Sequence, residues 1–248
     1  MKKYIIKLNG IVKGLIFLLR PDIFLGFLKH PFLFCSNLLS MTKWFSLQER
    51  KTILNDFYLP IRDYSKRFEL YKHVIDTAKI SNQPINYLEF GVCGGTSFKW
   101  WIEANNNTNS KFYGFDTFEG LPEKWGMLYK KGDMAAGIPE IIDTRVEWVK
   151  GLFQDTLNNF IKTHDLNSNK IKVIHLDADL FSSTLFVLAS LAPYLKKGDI
   201  LLFDEFNVPN HEFFAFKIFT ESFYIKTKLI GAVNNYLQTG FEIIESPL

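Results

Sequence analysis

Residues 172–206 read KVIHLDADLFSSTLFVLASLAPYLKKGDILLFDEF. Two short apolar runs, KVIHL (172–176) and DILLF (199–203), each end in acids: Asp177 and Asp179 after the first, Asp204 and Glu205 after the second. A helical stretch over 182–195 separates them. Strand, crossover helix and second strand make a βαβ unit, whose strands can lie parallel, about 4.8 Å apart. Their carboxyl ends then open into one crevice, where open α/β sheets bind ligands. Four carboxylates converging there repel one another unless a cation neutralises them. A hard divalent ion with oxygen ligands is the natural partner, and Mg2+ fits best. The alternative is helix capping, which Asp179 could provide for 182–195 but which explains one acid rather than four.

The same alternation extends outward from this stretch. NYLEF (86–90), KFYGF (111–115) and VEWVK (146–150) read as further strands, with helices over 96–105, 153–163 and around 211–222. Alternating strands and helices predict an α/β fold, a parallel sheet covered on both faces. YIKTKLIGAV and YLQTGFEII flank Asn234-Asn235 and read as a terminal antiparallel hairpin. Upstream, residues 47–82 read as helices. SLQERKTILNDFYL opens with Ser46 and Glu49 at capping-box spacing, and RFELYKHVIDTAKI carries apolar residues near helical period. SNQP (81–84) is a loop signal.

The turn after the first of these strands, in NYLEFGVCGGTSF (86–98), is rich in glycine. Glycine permits backbone angles and close approaches that a Cβ forbids, so a cofactor can lie against such a turn. The spacing is not G-x-G-x-x-G, and a tight turn with no ligand is the plain alternative. Asp116 ends the next strand, 21 residues after Gly95. An acid there can accept hydrogen bonds from ribose hydroxyls, or it can cap a turn. Together the two features suggest a nucleoside cofactor.

The 248 residues suit one globular domain with an appendage. The net charge of +3 is unevenly spread. Residues 1–50 hold eight Lys/Arg against Asp22 and Glu49, net +6, and the rest carry net −3. The body therefore lacks the cationic stripe of a nucleic-acid binder. Cys35 and Cys93 cannot make a disulfide framework, which suggests a reducing compartment. Residues 4–41 are crowded with Ile, Leu, Phe and Val, interrupted by charges and by Pro21 and Pro31, which should break any helix. No charge-free apolar run reaches the roughly 18–20 residues of a membrane span. Two readings stay open: helices packed on the body or on a second copy, or an interfacial segment with basic residues near anionic head groups.

EFGVCGGTSF, YGFDTFEGLPE, GLFQDTL and HLDADLF with its sequel through LLFDEF resemble, in that order, the macrocin O-methyltransferase family. Its members are metal-dependent enzymes that use S-adenosylmethionine to methylate sugar hydroxyls. The likeness is specific over 86–206, looser over about 47–245, and absent over 1–46. It implies a Rossmann-like sheet of seven mostly parallel strands with the last antiparallel. With the composition of the N-terminus, the expected organisation is an apolar basic helical segment 1–46 followed by a methyltransferase domain 47–248. By matching position, Gly91, Cys93, Thr96 and Ser97 would hold the methionine end of the cofactor, with Glu89 behind them. Asp116, with Thr117 beside it, would bind ribose, and Gly151, Phe153 and Gln154 would border adenine. Asp177, which also borders the cofactor, would bind Mg2+ with Asp204 and Glu205, and Asp179 would be the general base. One departure is Asp204-Glu205, where the family often has Asp-Asp.

The expected partners are a sugar or glycan acceptor, lipid-linked or of the cell envelope given the basic apolar N-terminus, a membrane surface through residues 1–46, and a homo-oligomer mate. The expected location is cytoplasmic, peripheral on the inner membrane face. The long connection 123–145, with the helices at 47–80, is expected to shape the acceptor pocket, where Tyr58, Tyr64 and Tyr129 could contact a sugar or simply pack. Two rivals stand beside this reading. Asp177-Ala178-Asp179 is formally the D-x-D motif of a nucleotide-sugar glycosyltransferase, and the chain could be a membrane-attached binding module without turnover.

Overall fold

Every strand in the centre of the sheet sends alternate side chains into two separate cores. In β2 (Ile85–Phe90), Ile85 and Tyr87 enter one, Leu88 and Phe90 the other. β5 (Ile171–Leu176) and β6 (Ile200–Phe203) divide in the same way. Such a double-sided apolar strand requires helices on both faces. The computed structural model describes residues 1–125 and 128–247 and provides them. α4 (Lys66–Ala78) and α5 (Thr96–Ala104) cover one face. α6 (Phe153–Thr163), α7 (Phe181–Leu191) and α8 (Glu212–Phe223) cover the other.

The sheet has eight strands in the order β1-β7-β8-β6-β5-β2-β3-β4. β3 (Lys111–Asp116) and β4 (Val146–Lys150) form one end, and β7 (Lys226–Val233) and β8 (Gln238–Glu245) the terminal hairpin. β8 alone runs antiparallel to its neighbours. The expected seven strands gain one, β1 (Leu54–Asn55), which pairs parallel with Gly231 and Ala232. Two residues are too few to show a strand pattern in sequence.

Residues 47–65 are not helical, which corrects the capping-box reading. Ser46 is the last residue of α3 (Lys29–Ser46), and Glu49 turns its carboxylate to the N–H groups of Arg50, Lys51 and Thr52 instead. Asn55 and Arg50 both reach the hydroxyl of Tyr236, so tertiary contacts draw this stretch along the sheet edge. Ahead of it lie α1 (Lys2–Leu19), α2 (Asp22–Leu25), a 3-10 turn and α3. Pro21 stands in the break after α1 as expected, but Pro31 does not break α3. It occupies the first turn, where an N–H has no helical partner to lose. Met41 and Phe45 of α3 enter the core, and Trp44 packs against it.

Candidate active site

Ladder register brings the acids together. Phe90 pairs with Leu176, and Leu176 with Phe203, so the strands β2, β5 and β6 end level. One step further, Asp177 N–H donates to Phe90 O at 2.9 Å and Asp204 N–H to Leu176 O at 3.1 Å. Between β5 and β2 the strand order reverses, the switch point at which such sheets hold ligands. A cavity of about 630 Å³ opens there, and Asp177, Asp179, Asp204 and Glu205 all line it. Its size suits a cofactor with part of an acceptor. Asp179 does not cap α7, whose N-terminus has no side-chain cap. Its own backbone is left-handed at φ 56°, a conformation that non-glycine residues adopt at a cost.

Acids outnumber bases at this end of the sheet. Arg67 Nη2 reaches Asp204 Oδ2 at 3.1 Å, but Asp204 Oδ1 is buried with no partner among the described residues. Burial and then the charge of Asp204 raise the Asp177 carboxyl well above the usual range. Asp179 is pushed up to about 7 by burial, then by Glu205 and Asp204. Burial and Asp204 push Glu205 up to about 7 as well, against the pull of Arg62 and Arg67. Burial raises Glu212 too, although it accepts the Glu205 N–H at 2.9 Å. A divalent cation would relieve this whole set and satisfy the bare Asp204 oxygen, so the residues present fit one.

Among the described residues, a candidate donor set differs from the implied one. Atoms of His175, Asp177 and Asp204 lie within 4.8 Å of one another, and Glu205 lines the cavity outside that group. His175 lies inside β5. It is buried, yet its Nδ1 meets the Tyr87 hydroxyl at 2.8 Å and its Nε2 the Tyr71 hydroxyl at 3.3 Å. Tyr87 in turn bonds Glu89, which accepts the Ser97 hydroxyl at 2.8 Å. A polar chain thus runs from the Gly-rich turn to the acids. Strand alternation was the signal that could have found His175, since positions 175 and 177 share a face.

The Gly-rich turn owes its glycines to more than a ligand. A Cβ on Gly91, at φ +98°, would lie 1.8 Å from the carbonyl oxygen of Asp177. Gly94 has open space instead, where a ligand can approach. Asp116 Oδ2 accepts the N–H groups of Val92 and Cys93, each at 2.8 Å, and Oδ1 accepts that of Phe118. The residue therefore staples the turn to β3, and its remaining acceptor capacity is on Oδ1. Gly91, Cys93, Thr96, Ser97, Asp116, Thr117, Phe153 and Gln154 line the cavity. Glu89 and Gly151 do not: Glu89 lies buried behind the turn, and the Gly151 N–H donates to Asp116 O at 2.9 Å.

The connection 123–145, apart from residues 126–127 that lie outside the described set, closes one side. Glu123 accepts the Ser182 hydroxyl, Trp125 stacks on Tyr129 at 4.8 Å, and Pro139 sits against Gly95. Tyr64 and Tyr129 line the cavity, whereas Tyr58 is exposed away from it. Arg67 and Glu212 were not singled out from sequence, and nothing in their local pattern marks them.

Comparison with known proteins agrees with this geometry. Residues 88–206 match a family described as a methyltransferase domain. A tetracenomycin-C rhamnosyl 4'-O-methyltransferase of Streptomyces olivaceus is 25% identical over 165 residues, 58% of this chain and 61% of that protein. The chain thus spans less than two thirds of that relative's length. Among solved structures, the calicheamicin methyltransferase CalS11 superposes with a TM-score of 0.56 at 18% identity, over 84% of this chain and 91% of its own. The O-methyltransferase NovP gives 0.52 at 19%, over 73% and 80%. The resemblance to sugar O-methyltransferases read from the motifs holds. Residues 88–206, just under half of this chain, are thus similar to the methyltransferase domain family.

Proposed function

We propose that the protein is an S-adenosylmethionine-dependent O-methyltransferase acting on a sugar hydroxyl, with Mg2+ at the acidic pit and Asp179 as general base. The observation that carries this reading is the shared cavity: a Gly-rich turn and four carboxylates, one with a buried unpartnered oxygen, face the same space. When bound, S-adenosylmethionine supplies an electrophilic methyl group and Mg2+ supplies the positive charge that the carboxylates lack.

The chain's residues then do the following. Gly91, Cys93, Thr96 and Ser97 would hold the methionine end, with Glu89 supporting Ser97. Asp116 and Thr117 would take the ribose, and Phe153 and Gln154 would border the base, with Gly151 shaping their turn. Asp177 and Asp204 would hold the ion, with Glu205 or His175 completing the set. Asp179 accepts the acceptor hydroxyl's proton at its carboxylate. Positioning of the hydroxyl by the cavity wall contributes much of the gain. The relative from Streptomyces olivaceus is named for methylating a rhamnosyl group, which supports a sugar acceptor. The partners proposed are that saccharide and, through residues 1–46, the cytoplasmic face of a membrane, with residues 47–248 forming the catalytic part.

Isothermal titration and a labelled methyl-transfer assay on a sugar panel test the reading. S-adenosylmethionine should bind, nucleotide sugars should not act as donors, and a methylated saccharide should appear. Sugar transfer from a nucleotide donor with no methyl transfer would replace this reading by the D-x-D alternative.

A further inference from the structure

The protein leaves the N-terminal arm uncovered. No residue of α1 is buried. Tyr4, Leu8, Ile11, Leu15 and Leu18 recur every three or four positions, so they share a face, and each is more than half exposed. Lys2 and Lys13 lie opposite this face of the helix, and Lys3 and Lys7 flank its edge. The apolar surface continues through Phe24, Phe27 and Phe32, all exposed. Across residues 1–29 six Lys/Arg accompany one acid, Asp22, and that acid is paired with Arg20. A second copy apposed through the same arm would cover the apolar strip but set its own Lys and Arg against these cations. An anionic bilayer accounts for both, with apolar side chains below the head groups and basic ones among them.

On such a surface the arm would lie flat rather than cross it. The run Asp22–Ser46 is 25 residues and apolar enough to span by composition. However, Asn37, Met41 and Phe45 are buried against the body. Only residues 22–36 of that run remain, short of the ~20 that a hydrocarbon core requires.

The arm is also fastened to the acidic pit. Asn37 Nδ2 donates to Asn210 Oδ1 at 2.9 Å, and the Trp44 ring lies 5.3 Å from that of Phe206. Phe206 and Asn210 belong to the segment between Glu205, which lines the cavity, and Glu212, which accepts the Glu205 N–H. The 18 residues of α3 extend ~27 Å, so the wall that carries Glu205 stands within a helix length of the lipid. Resting on the sugar O-methyltransferase reading above, we propose that residues 1–36 bind an anionic membrane surface and that the acceptor is a saccharide carried on a membrane-anchored lipid.

Flotation of the full chain with vesicles of equal parts phosphatidylcholine and phosphatidylglycerol tests the surface. Binding should fall with salt, be weaker to phosphatidylcholine alone, and be lost in a Leu8→Glu/Ile11→Glu/Leu15→Glu variant. Methyl and hexadecyl glycosides of the same sugars test the acceptor. On vesicles the natural chain should methylate the hexadecyl form with about tenfold or greater preference in kcat/KM, through surface confinement. The variant should keep its rate on the methyl form and lose the preference. A chain that stays in the soluble fraction overturns the proposal, most clearly if the variant also turns a dimer into a monomer in light scattering. Vesicle binding with equal rates on both glycosides overturns the lipid-linked acceptor. Flotation with no methyl transfer to any glycoside supports the membrane surface while removing the catalytic reading.

Discussion

Arg67 takes one oxygen of Asp204 and leaves the other buried and bare. That single contact is insufficient for the acids around it, and removal of the Asp204 charge should weaken metal binding directly. In calorimetric titration with Mg2+, Asp204→Asn should lose at least about tenfold in affinity. His175→Gln and Glu205→Gln, compared side by side, identify the third ligand by whichever loses more. EDTA should abolish turnover, and full activity after metal removal would rule the ion out of the chemistry.

Asp179 lines the cavity beside the acids but need not hold the ion. Asp179→Asn should therefore reduce turnover by roughly 10²–10⁴, the usual value of a positioned base, with S-adenosylmethionine affinity unchanged. A comparable loss of cofactor affinity in calorimetry would place Asp179 in binding instead.

The raised carboxyls carry a pH signature. Asp179 and Glu205 titrate at about 7 in the folded chain, above the ordinary range near 4. Between those limits the folded state holds protons that the unfolded state has released, so stability falls as pH rises. Metal-free protein should melt several degrees lower at pH 8 than at pH 5 from this contribution, on the order of 2–4 °C or more per kcal/mol lost. Added Mg2+ should recover more of the melting temperature at pH 8, where the carboxylates are free to bind it. A metal-induced shift that is equal at both values would contradict the assignment.

Gly91→Ala tests the closeness of the two half-sites. The new methyl would meet the Asp177 carbonyl in a left-handed backbone, and overpacking of this kind costs on the order of 3 kcal/mol. Denaturant unfolding should show that loss. Gly94→Ala, in open space, should cost little stability and should instead weaken cofactor binding.

Much of this was legible in the sequence because it rests on local pattern. The runs ending at Phe90, Asp116, Asp177 and Asp204 announce both the strands and the direction in which their acids point. What escaped depends on distant partners. β1 exists through its pairing with β7, and residues 47–65 follow Tyr236 rather than their own helical spacing. Arg67 reaches the site from α4 across 137 positions of chain, and no local period reports such a contact. His175 sits within an apolar run, and its hydrogen bonds to Tyr71 and Tyr87 leave no local mark.

The seam between arm and body sets how a tractable reagent can be made. Cutting the chain at residue 46, where the family likeness begins, would strip Met41 and Phe45 from the interior and expose Phe206 and Tyr236 to water. The resulting fragment should aggregate for reasons unrelated to catalysis. A boundary before Ser36 spares that packing, and soluble material is better sought by recolouring the outer face of the first helix than by shortening the chain further.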